Sequence, residues 1–249
     1  MNRKNRKHIV AFFSLLLTVP IIYASINPLK TSAEFRSDVH SNRTVVVYQK
    51  ETLVNESVLL NIPAIQQFPE LPRGCEVTSL AMLLNFAGVA VDKLTLADEI
   101  PKVPYLNDGY YGNPHRGFVG NMYTYNERGL AVYHEVIAGL ANQYLPNKID
   151  NLTGDSFYAV QKKLNEGKPV WVIVGSTFTH LPEEHWKTWK TTDGEIKITV
   201  KTHSVLVTGY DENNVYFNDP FYRDQNRAAN FENFVASWTQ FGSQAISIK

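Results

Sequence analysis

The order of two hydrophobic periodicities along the chain is the feature that most limits the folds open to it. After Gly74, apolar residues recur at helical spacing, and the pattern ends at Gly88, a residue type favoured just beyond a helix. Two further amphipathic helices are predicted at 133–144 and 155–166. Strand patterns dominate from residue 169 onward. Helices first and strands later are typical of an α+β domain with an antiparallel sheet.

The strand patterns are short and regularly separated. They cover 169–174, 196–200, 203–210 and 215–218, and the polar residues 211–214 predict a turn between the last two. A closing helix is expected after them, at 231–241. Because a short turn joins 203–210 to 215–218, these two strands are expected to be antiparallel neighbours.

Composition excludes several classes of protein. The 249 residues include 24 Lys and Arg against 24 Asp and Glu, so the chain lacks the basic surface of a nucleic-acid-binding protein. With 44% apolar residues, it has the composition of a packed globular protein. The single cysteine, Cys75, excludes an internal disulfide framework and a cysteine-based zinc or iron–sulfur site.

The N-terminus has the pattern of an export signal. Four basic residues within the first seven precede an uncharged, largely apolar run, 9–24, that Pro20 interrupts. We therefore expect 1–24 to be a signal peptide, cut after Ala24 or Ala33, or an uncleaved N-terminal anchor. Either alternative predicts a secreted or cell-surface protein, with membrane contact only through an uncleaved segment.

The rest of the chain divides into two predicted parts. Residues 25–57 are polar around one apolar patch, 45–48, and are interpreted as a linker that ends in an edge strand. Residues 58–249 are predicted to form the folded domain. Within it, 101–129 is rich in Pro, Gly, Asn and Tyr without sustained periodicity, which predicts a long structured loop. This loop is interpreted as a lid or binding wall, and the alternative is an insertion without a role.

Cys75 is the candidate nucleophile because it begins a predicted helix. The positive end of a helix stabilises a thiolate and lowers the pKa of a cysteine at that place. The alternative is a small buried apolar residue, as most free cysteines are. Glu76 adds a negative charge that opposes the pKa shift, so a cationic partner is required.

His203 and Asp219 are the candidate partners of the thiol. His203 begins an apolar strand, where its imidazole would lie at the end of the sheet near a helix terminus. Asp219 follows the next strand, so the antiparallel pair brings both residues to one end of the sheet. A base and a carboxylate that orients it are the arrangement required by nucleophilic catalysis. The alternative for His203 is a hydrogen-bonded core histidine.

A metal site and a serine nucleophile are the competing possibilities for a catalytic centre. His180 and His185 bracket a stretch that resembles a zinc motif, but the spacing is one residue off and Pro182 interrupts a helix. Trp186 and Trp189 follow this stretch. Two alternatives are open for them: they line a substrate groove, or they pack on the sheet. No Gly-x-Ser-x-Gly elbow is present. No metal and no cofactor are therefore predicted.

Four segments carry a resemblance to a known family. They cover 67–82, 112–120, 203–211 and 218–221, and they contain the series Gln…Gly-Cys…His…Asp-Pro. The chain resembles the bacterial papain-like cysteine peptidases that are similar to the bacteriocin-leader-processing (C-39-like) peptidases, as a stand-alone form without a transporter. The likeness extends over about 60–249, and the series is specific as a set.

The resemblance implies a fold and a set of roles. The implied fold is papain-like, with an N-terminal helix carrying the cysteine packed on a C-terminal antiparallel sheet that carries the histidine and aspartate. Cys75 matches the nucleophile, His203 the general base, Asp219 the residue orienting it, and Gln67 the oxyanion-hole donor. Gln67 is preferred over its neighbour Gln66 because it lies closer to the turn at 69–72 that returns the chain to the helix. Adjacent extended residues point in opposite directions, so Gln66 is expected to face elsewhere.

Two departures limit what the resemblance transfers. The bacteriocin-processing enzymes carry their peptidase in front of a membrane transporter, and this chain has neither transporter spans nor a P-loop, so leader removal during export does not follow. Gln67 also lies eight residues before Cys75, with a Pro-rich insert, where papain-like enzymes often have six.

The predicted function is an exported thiol hydrolase that cleaves amide bonds in a peptide or protein substrate through an acyl-enzyme. Two alternatives stay open: an acyltransferase or amidase of the same fold acting on cell-wall peptides, and a non-catalytic surface binding module. Transfer of the acyl group to water or to an amine separates hydrolase from acyltransferase, so substrates are needed to distinguish them. Thiol labelling separates an enzyme from a binding module.

Overall fold

The computed structural model describes residues 55–249, which form five α-helices and thirteen β-strands. The helices are α1 (Cys75–Phe86), α2 (Lys93–Glu99), α3 (His134–Tyr144), α4 (Phe157–Asn165) and α5 (Phe231–Thr239). The strands are β1 (Val58–Leu59), β2 (Lys102–Val103), β3 (Leu106–Asn107), β4 (Tyr110–Tyr111), β5 (Phe118–Val119), β6 (Ile149–Asn151), β7 (Val170–Gly175), β8 (Lys187–Thr191), β9 (Gly194–Ile198), β10 (Thr202–Tyr210), β11 (Asn214–Asn218), β12 (Arg227–Asn230) and β13 (Ala245–Ile248).

A seven-stranded antiparallel sheet forms the centre of this domain. Its strand order is β12-β11-β10-β7-β13-β6, and β1 pairs with the end of β10. β10 pairs with β7 over Thr202–Val207 and with β11 from Leu206 onward. It is buried along almost its whole length, as expected for a central strand rich in β-branched residues. The predicted α+β class with an antiparallel sheet is confirmed.

Alternating side chains bury both faces of the sheet. Trp171, Ile173 and Leu206 face a core cluster shared with α1 and α3. Their neighbours Val172 and Val205 point the other way, into a cluster shared with α4 and α5. Since successive strand residues point to opposite faces, a near-continuous apolar sequence is what such a two-sided sheet requires.

Helix α1 is fixed to the sheet by packing and by two hydrogen bonds. Its apolar residues, from Val77 to Leu84, are buried. The indole Nε1 of Trp171 donates to the carbonyl of Glu76 at 3.0 Å, and the hydroxyl of Ser79 donates to the carbonyl of Ser204 at 3.2 Å. The first two turns of α1 therefore lie against the first residues of β10.

The Tyr-rich segment 101–129 is ordered by short strand pairs. β2 pairs with β5 in parallel, and β3 and β4 form a small hairpin. Tyr111 stacks on Trp189 at a ring-centroid distance of 4.3 Å, and Tyr105 meets the same indole edge-on at 5.2 Å. Trp189 is consequently buried in a small aromatic core. The lid role of the segment stays a prediction.

Most differences from the sequence-based expectations concern short elements. The elements that the sequence patterns did not predict are α2, β6, β8, β12 and β13. These elements have three to seven residues, too few for a periodicity to be recognised.

The predicted signal or anchor, the patch at 45–48 and nearly all of the predicted linker lie outside the described residues. Of that linker, Asn55 contacts the domain, accepting a hydrogen bond from the Tyr210 hydroxyl at 2.7 Å. Within residues 55–249, no helix combines the length and the hydrophobicity needed to cross a bilayer.

The turn that precedes Cys75 depends on the absence of a side chain at Gly74. A Cβ atom there would lie 2.5 Å from the Cβ of Leu71, which is fully buried. We expect Gly74→Ala to lower the free energy of unfolding by about 1–3 kcal/mol, because the buried turn would have to shift.

Chemical denaturation measures this effect, with Gly139→Ala on α3 as the matched control. Nothing lies within 4 Å of a Cβ at Gly139, so alanine should leave stability unchanged or raise it by up to about 1 kcal/mol. Equal stabilities of the two variants would contradict the packing argument.

Candidate active site

Cys75 is the first residue of α1, as predicted, and its thiol is turned toward the neighbouring carboxylate. The side chain is only 7% exposed. Its Sγ donates to Oε2 of Glu76 at 3.3 Å. The backbone N–H of Ser204, on β10, also interacts with the sulfur. The nucleophile candidate therefore lies between the start of its own helix and the strand that carries His203.

The pKa of the Cys75 thiol shifts in the direction opposite to the sequence-based expectation. Burial raises this pKa well above its ordinary value, and the charge of Glu76 raises it further. The hydrogen bond from the N–H of Ser204 acts to lower the pKa of the thiol, but it offsets only part of this rise. A favourable helix terminus does not compensate for desolvation and an adjacent carboxylate, so the expected acidic thiol is wrong for this arrangement.

Glu76 is the residue whose importance the sequence reasoning underestimated. Its side chain is 1% exposed, and Oε1 accepts a hydrogen bond from the backbone N–H of Val132 at 3.2 Å. Burial raises the pKa of Glu76 to about 7, although the hydrogen bonds it accepts oppose the shift. The signal in the sequence was an acidic residue directly after the only cysteine, at a position inside the apolar face of a helix.

His203 and Asp219 lie together at one end of the sheet, where the hairpin argument predicted them. Nε2 of His203 is 2.8 Å from Oδ1 of Asp219, and both side chains are 1% exposed. The ring of Phe221 stacks on the imidazole at 4.2 Å and excludes water from that side. The aspartate therefore fixes the orientation of the ring through one of its two nitrogens.

The carboxylate of Asp219 is itself strongly held. Oδ1 accepts the backbone N–H of Phe221 at 2.9 Å, and Oδ2 is bonded to the guanidinium of Arg227. Burial acts to raise the pKa of Asp219, but the hydrogen bond with His203 and the nearby charges prevail, so the pKa is lowered. Arg227 begins β12, and the guanidinium also lies over the ring of Tyr222 at 3.7 Å. Sequence reasoning missed this arginine.

The second nitrogen of the imidazole is not used in this arrangement. Nδ1 of His203 is buried and has no hydrogen-bond partner among residues 55–249. Because Asp219 holds Nε2, Nδ1 is the ring nitrogen left to take a proton. Cys75, one of the groups it would serve, is instead bonded to Glu76.

Gln67 is fully buried in the turn that leads to Cys75. Its Nε2 donates to the carbonyls of Leu71 at 3.0 Å and Pro72 at 2.8 Å. Both amide hydrogens are thus used within the turn, and Oε1 has no partner in the described part of the chain. Gln66 points elsewhere, toward the carbonyl of Phe221 and the guanidinium of Arg223. In this arrangement Gln67 has no amide hydrogen left for an oxyanion, and the amide of Gln66 is directed toward Phe221 instead.

Trp186 and Trp189 have different surroundings, since Trp189 is buried in the aromatic core with Tyr105 and Tyr111. Trp186 packs on Phe241 at 5.0 Å and lines an open pocket of about 410 Å³. His180 and Tyr133 line the same pocket.

Within 55–249, no three His, Cys, Asp or Glu side chains converge as metal ligands. The stretch that resembles a zinc motif forms a single 3₁₀ turn, Glu183–His185.

Comparison with known proteins identifies relatives over nearly the whole described region. Residues 59–246 match the Peptidase_C39 like family. The uncharacterized protein YvpB of Bacillus subtilis (strain 168) is 49% identical over 182 residues, which are 73% of this chain and 71% of the relative.

A solved structure extends the likeness to three dimensions. A crystal structure from Bacillus anthracis, assigned by likeness as a C39-like peptidase, superposes with a TM-score of 0.77 at 49% identity. The match covers 78% of this chain and 98% of that one. With a cysteine at the start of a helix packed on an antiparallel sheet, the papain-like fold is confirmed. The chain belongs to the Peptidase_C39 like family.

Proposed function

We propose that this protein is a cysteine peptidase in which Cys75, His203 and Asp219 form the catalytic triad. The observation that carries the proposal is the buried His203–Asp219 pair: Nδ1 of His203 has no hydrogen-bond partner among residues 55–249, and His203 lies on the strand adjoining Cys75. A fixed imidazole with one unused nitrogen next to a thiol at a helix terminus is an arrangement suited to acyl transfer.

The reaction proceeds through a covalent intermediate. The Cys75 proton passes to Nδ1 of His203, and the sulfur attacks the carbonyl carbon of the scissile bond. The imidazolium then protonates the leaving amine, which departs and leaves a thioester on Cys75. A water molecule, deprotonated by Nδ1, hydrolyses the thioester and restores the thiol.

Asp219 and Arg227 support the imidazole during these steps. The lowered pKa keeps the buried carboxylate ionised, so that its charge stabilises the imidazolium that forms. Arg227 neutralises the aspartate when His203 is uncharged. Without this guanidinium, an ionised Asp219 would be buried beside a neutral ring, which is costly.

The oxyanion of the tetrahedral intermediate requires hydrogen-bond donors near Cys75. The backbone N–H of Cys75 belongs to the unpaired N–H groups at the start of α1. Gln67 is the side-chain donor that the family resemblance implies. For this role, one hydrogen of its Nε2 would leave the carbonyl of Leu71 or Pro72 when substrate binds.

The proposed enzyme acts on a peptide or protein substrate outside the cytoplasm, in keeping with the N-terminal signal pattern. Cell-wall peptides belong to the same class of amide. Acyl transfer to an amine and a purely binding role remain the two alternatives. A complete set of buried Cys, His and Asp residues favours an enzyme over a binding module, because burying ionisable groups costs stability.

The first test addresses the nucleophile. Cys75→Ala should abolish hydrolysis of a peptide substrate and labelling by an electrophilic peptide probe, since the chain contains no other thiol. Mass spectrometry of the labelled protein measures the result, and circular dichroism checks the fold. A folded alanine variant that hydrolyses peptides at the wild-type rate would contradict the mechanism.

The second test separates orientation from stability at Asp219. Asp219→Ala should lower turnover by about a hundredfold or more, because the imidazole loses both its orientation and the charge that stabilises its cation. Turnover is measured per folded molecule, alongside thermal unfolding.

Asp211→Ala is the matched control for Asp219. Asp211 accepts the backbone N–H groups of Asn213 and Asn214 in the β10–β11 turn and does not contact His203. Its removal should lower stability and leave turnover unchanged. If Asp219→Ala behaves in the same way, Asp219 is a structural residue.

The third test concerns Gln67. An oxyanion donor acts in the transition state, so Gln67→Ala should lower kcat by about a hundredfold while alkylation of Cys75 by a small reagent is retained. Gln66→Ala is the control and should leave kcat unchanged. A loss of stability with unchanged kcat in Gln67→Ala would instead mean that Gln67 only holds the turn before Cys75.

A further inference from the structure

The carboxylate of Glu76 has no role in the proposed triad, yet it makes the hydrogen bond to the nucleophile. Both oxygens accept from within the fold, Oε1 from Val132 and Oε2 from the thiol of Cys75. Among residues 55–249, no Lys, Arg or His forms an ion pair with it. The thiol is therefore one of the few groups that offset the burial of this carboxylate.

Glu76 also occupies the position that would otherwise favour a thiolate. It lies in the first turn of α1, where unpaired N–H groups and the helix dipole stabilise a negative charge. Its own backbone N–H and that of Val132 stabilise the carboxylate. Two adjacent anions cannot both be buried at one helix terminus without a large cost, so Glu76 and Cys75 share one charge and one proton.

His203 and Glu76 compete for that proton. With the thiol on Glu76, Nδ1 of His203 is buried and unpartnered in the described part of the protein. If the thiol were hydrogen-bonded to Nδ1 of His203 instead, Oε2 of Glu76 would lose its donor. One buried acceptor is left unsatisfied in either arrangement, which keeps the two close enough in free energy for the proton to change place.

We propose that Glu76 is a positioning residue that holds Cys75 as a thiol in the resting protein, and that attack begins when the thiol leaves Glu76 for Nδ1 of His203. The inference rests on the proposed function. In the transfer, the S–H bond breaks, the proton goes to Nδ1 and the electron pair stays on sulfur. Glu76 keeps its charge, and nothing is oxidised or reduced.

Three other ionisable groups face this pair from neighbouring elements. Tyr133 precedes α3, and burial and the charge of Glu76 both raise its pKa, so it stays neutral. Asp219 follows β11, and its charge opposes a thiolate as Glu76 does. His203, on β10, is the remaining group and the one able to receive the proton. Removing the charge of Glu76 is therefore the change that should release the thiolate.

The single cysteine allows a direct test on the full chain. The rate of alkylation by iodoacetamide and the ultraviolet absorbance of the thiolate are measured against pH for wild type and Glu76→Gln. Glutamine carries no charge: its one oxygen can still accept from the N–H of Val132, and its NH2 group, a donor, takes the place of the Oε2 that accepts from the thiol. We expect the Cys75 pKa to fall by at least about one unit, which gives roughly tenfold faster alkylation near pH 8, where Glu76 of the wild type is mostly ionised.

Glu135→Gln is the matched control. Glu135 is a half-exposed carboxylate on α3, bonded to His115 at 2.8 Å, and it does not contact Cys75. In Glu135→Gln, the thiol of Cys75 should titrate as it does in wild type. An unchanged or raised Cys75 pKa in folded Glu76→Gln would overturn the proposal.

Two further measurements keep the test decisive. If Glu76→Gln does not fold, wild type alone decides, because a thiol that titrates at or below the ordinary value of about 8.5 is not held by a carboxylate. In folded His203→Gln, the resting thiol pKa should be unchanged; a rise would mean that the resting thiol is paired with His203 instead.

Peptide hydrolysis is not the readout of these experiments. A lowered thiol pKa in Glu76→Gln without any hydrolysis in wild type would support the role of Glu76 and contradict the peptidase function. Hydrolysis in wild type with an unchanged pKa in Glu76→Gln would do the reverse.

Discussion

The contact between the start of α1 and the start of β10 is the constraint on which the site depends. Ser79 and Trp171 tie the first two turns of the helix to neighbouring strands of the sheet. Cys75 is thereby brought to the backbone of Ser204, next to His203. Because α1 is buried and its hydrogen bonds to the sheet are satisfied, the thiol has little freedom beyond rotation of its own side chain.

Much of this arrangement follows from local patterns. The helix after Gly74 and the hairpin of β10 and β11 have clear periodicities, and an antiparallel hairpin necessarily brings His203 and Asp219 to the same end of the sheet. Arg227 and Val132 could not be found in this way. Both residues reach the site because the chain folds back toward it, at β12 for Arg227 and in the segment before α3 for Val132. Hydrophobic periodicity does not show where the chain folds back.

The direction of the Cys75 pKa shift was missed for a related reason. Position at a helix terminus is visible in a sequence, whereas burial and the conformation of the adjacent Glu76 are properties of the packed structure. Cys75 is 7% exposed and Glu76 1% exposed, so desolvation dominates both groups. The opposing charge was recognised, but its weight depends on a local environment of low polarity, where Coulomb interactions are strongest.

A carboxylate that opposes the thiolate is compatible with catalysis because the charge on sulfur is transient. During attack, the electron pair of Cys75 enters the new carbon–sulfur bond, and the negative charge moves to the carbonyl oxygen. The repulsion from Glu76 therefore falls as the bond forms, while the donors around the oxyanion become more effective. A group that destabilises the thiolate more than the transition state slows side reactions of the free nucleophile, such as alkylation. It raises the activation free energy of the bond-forming step by a smaller amount.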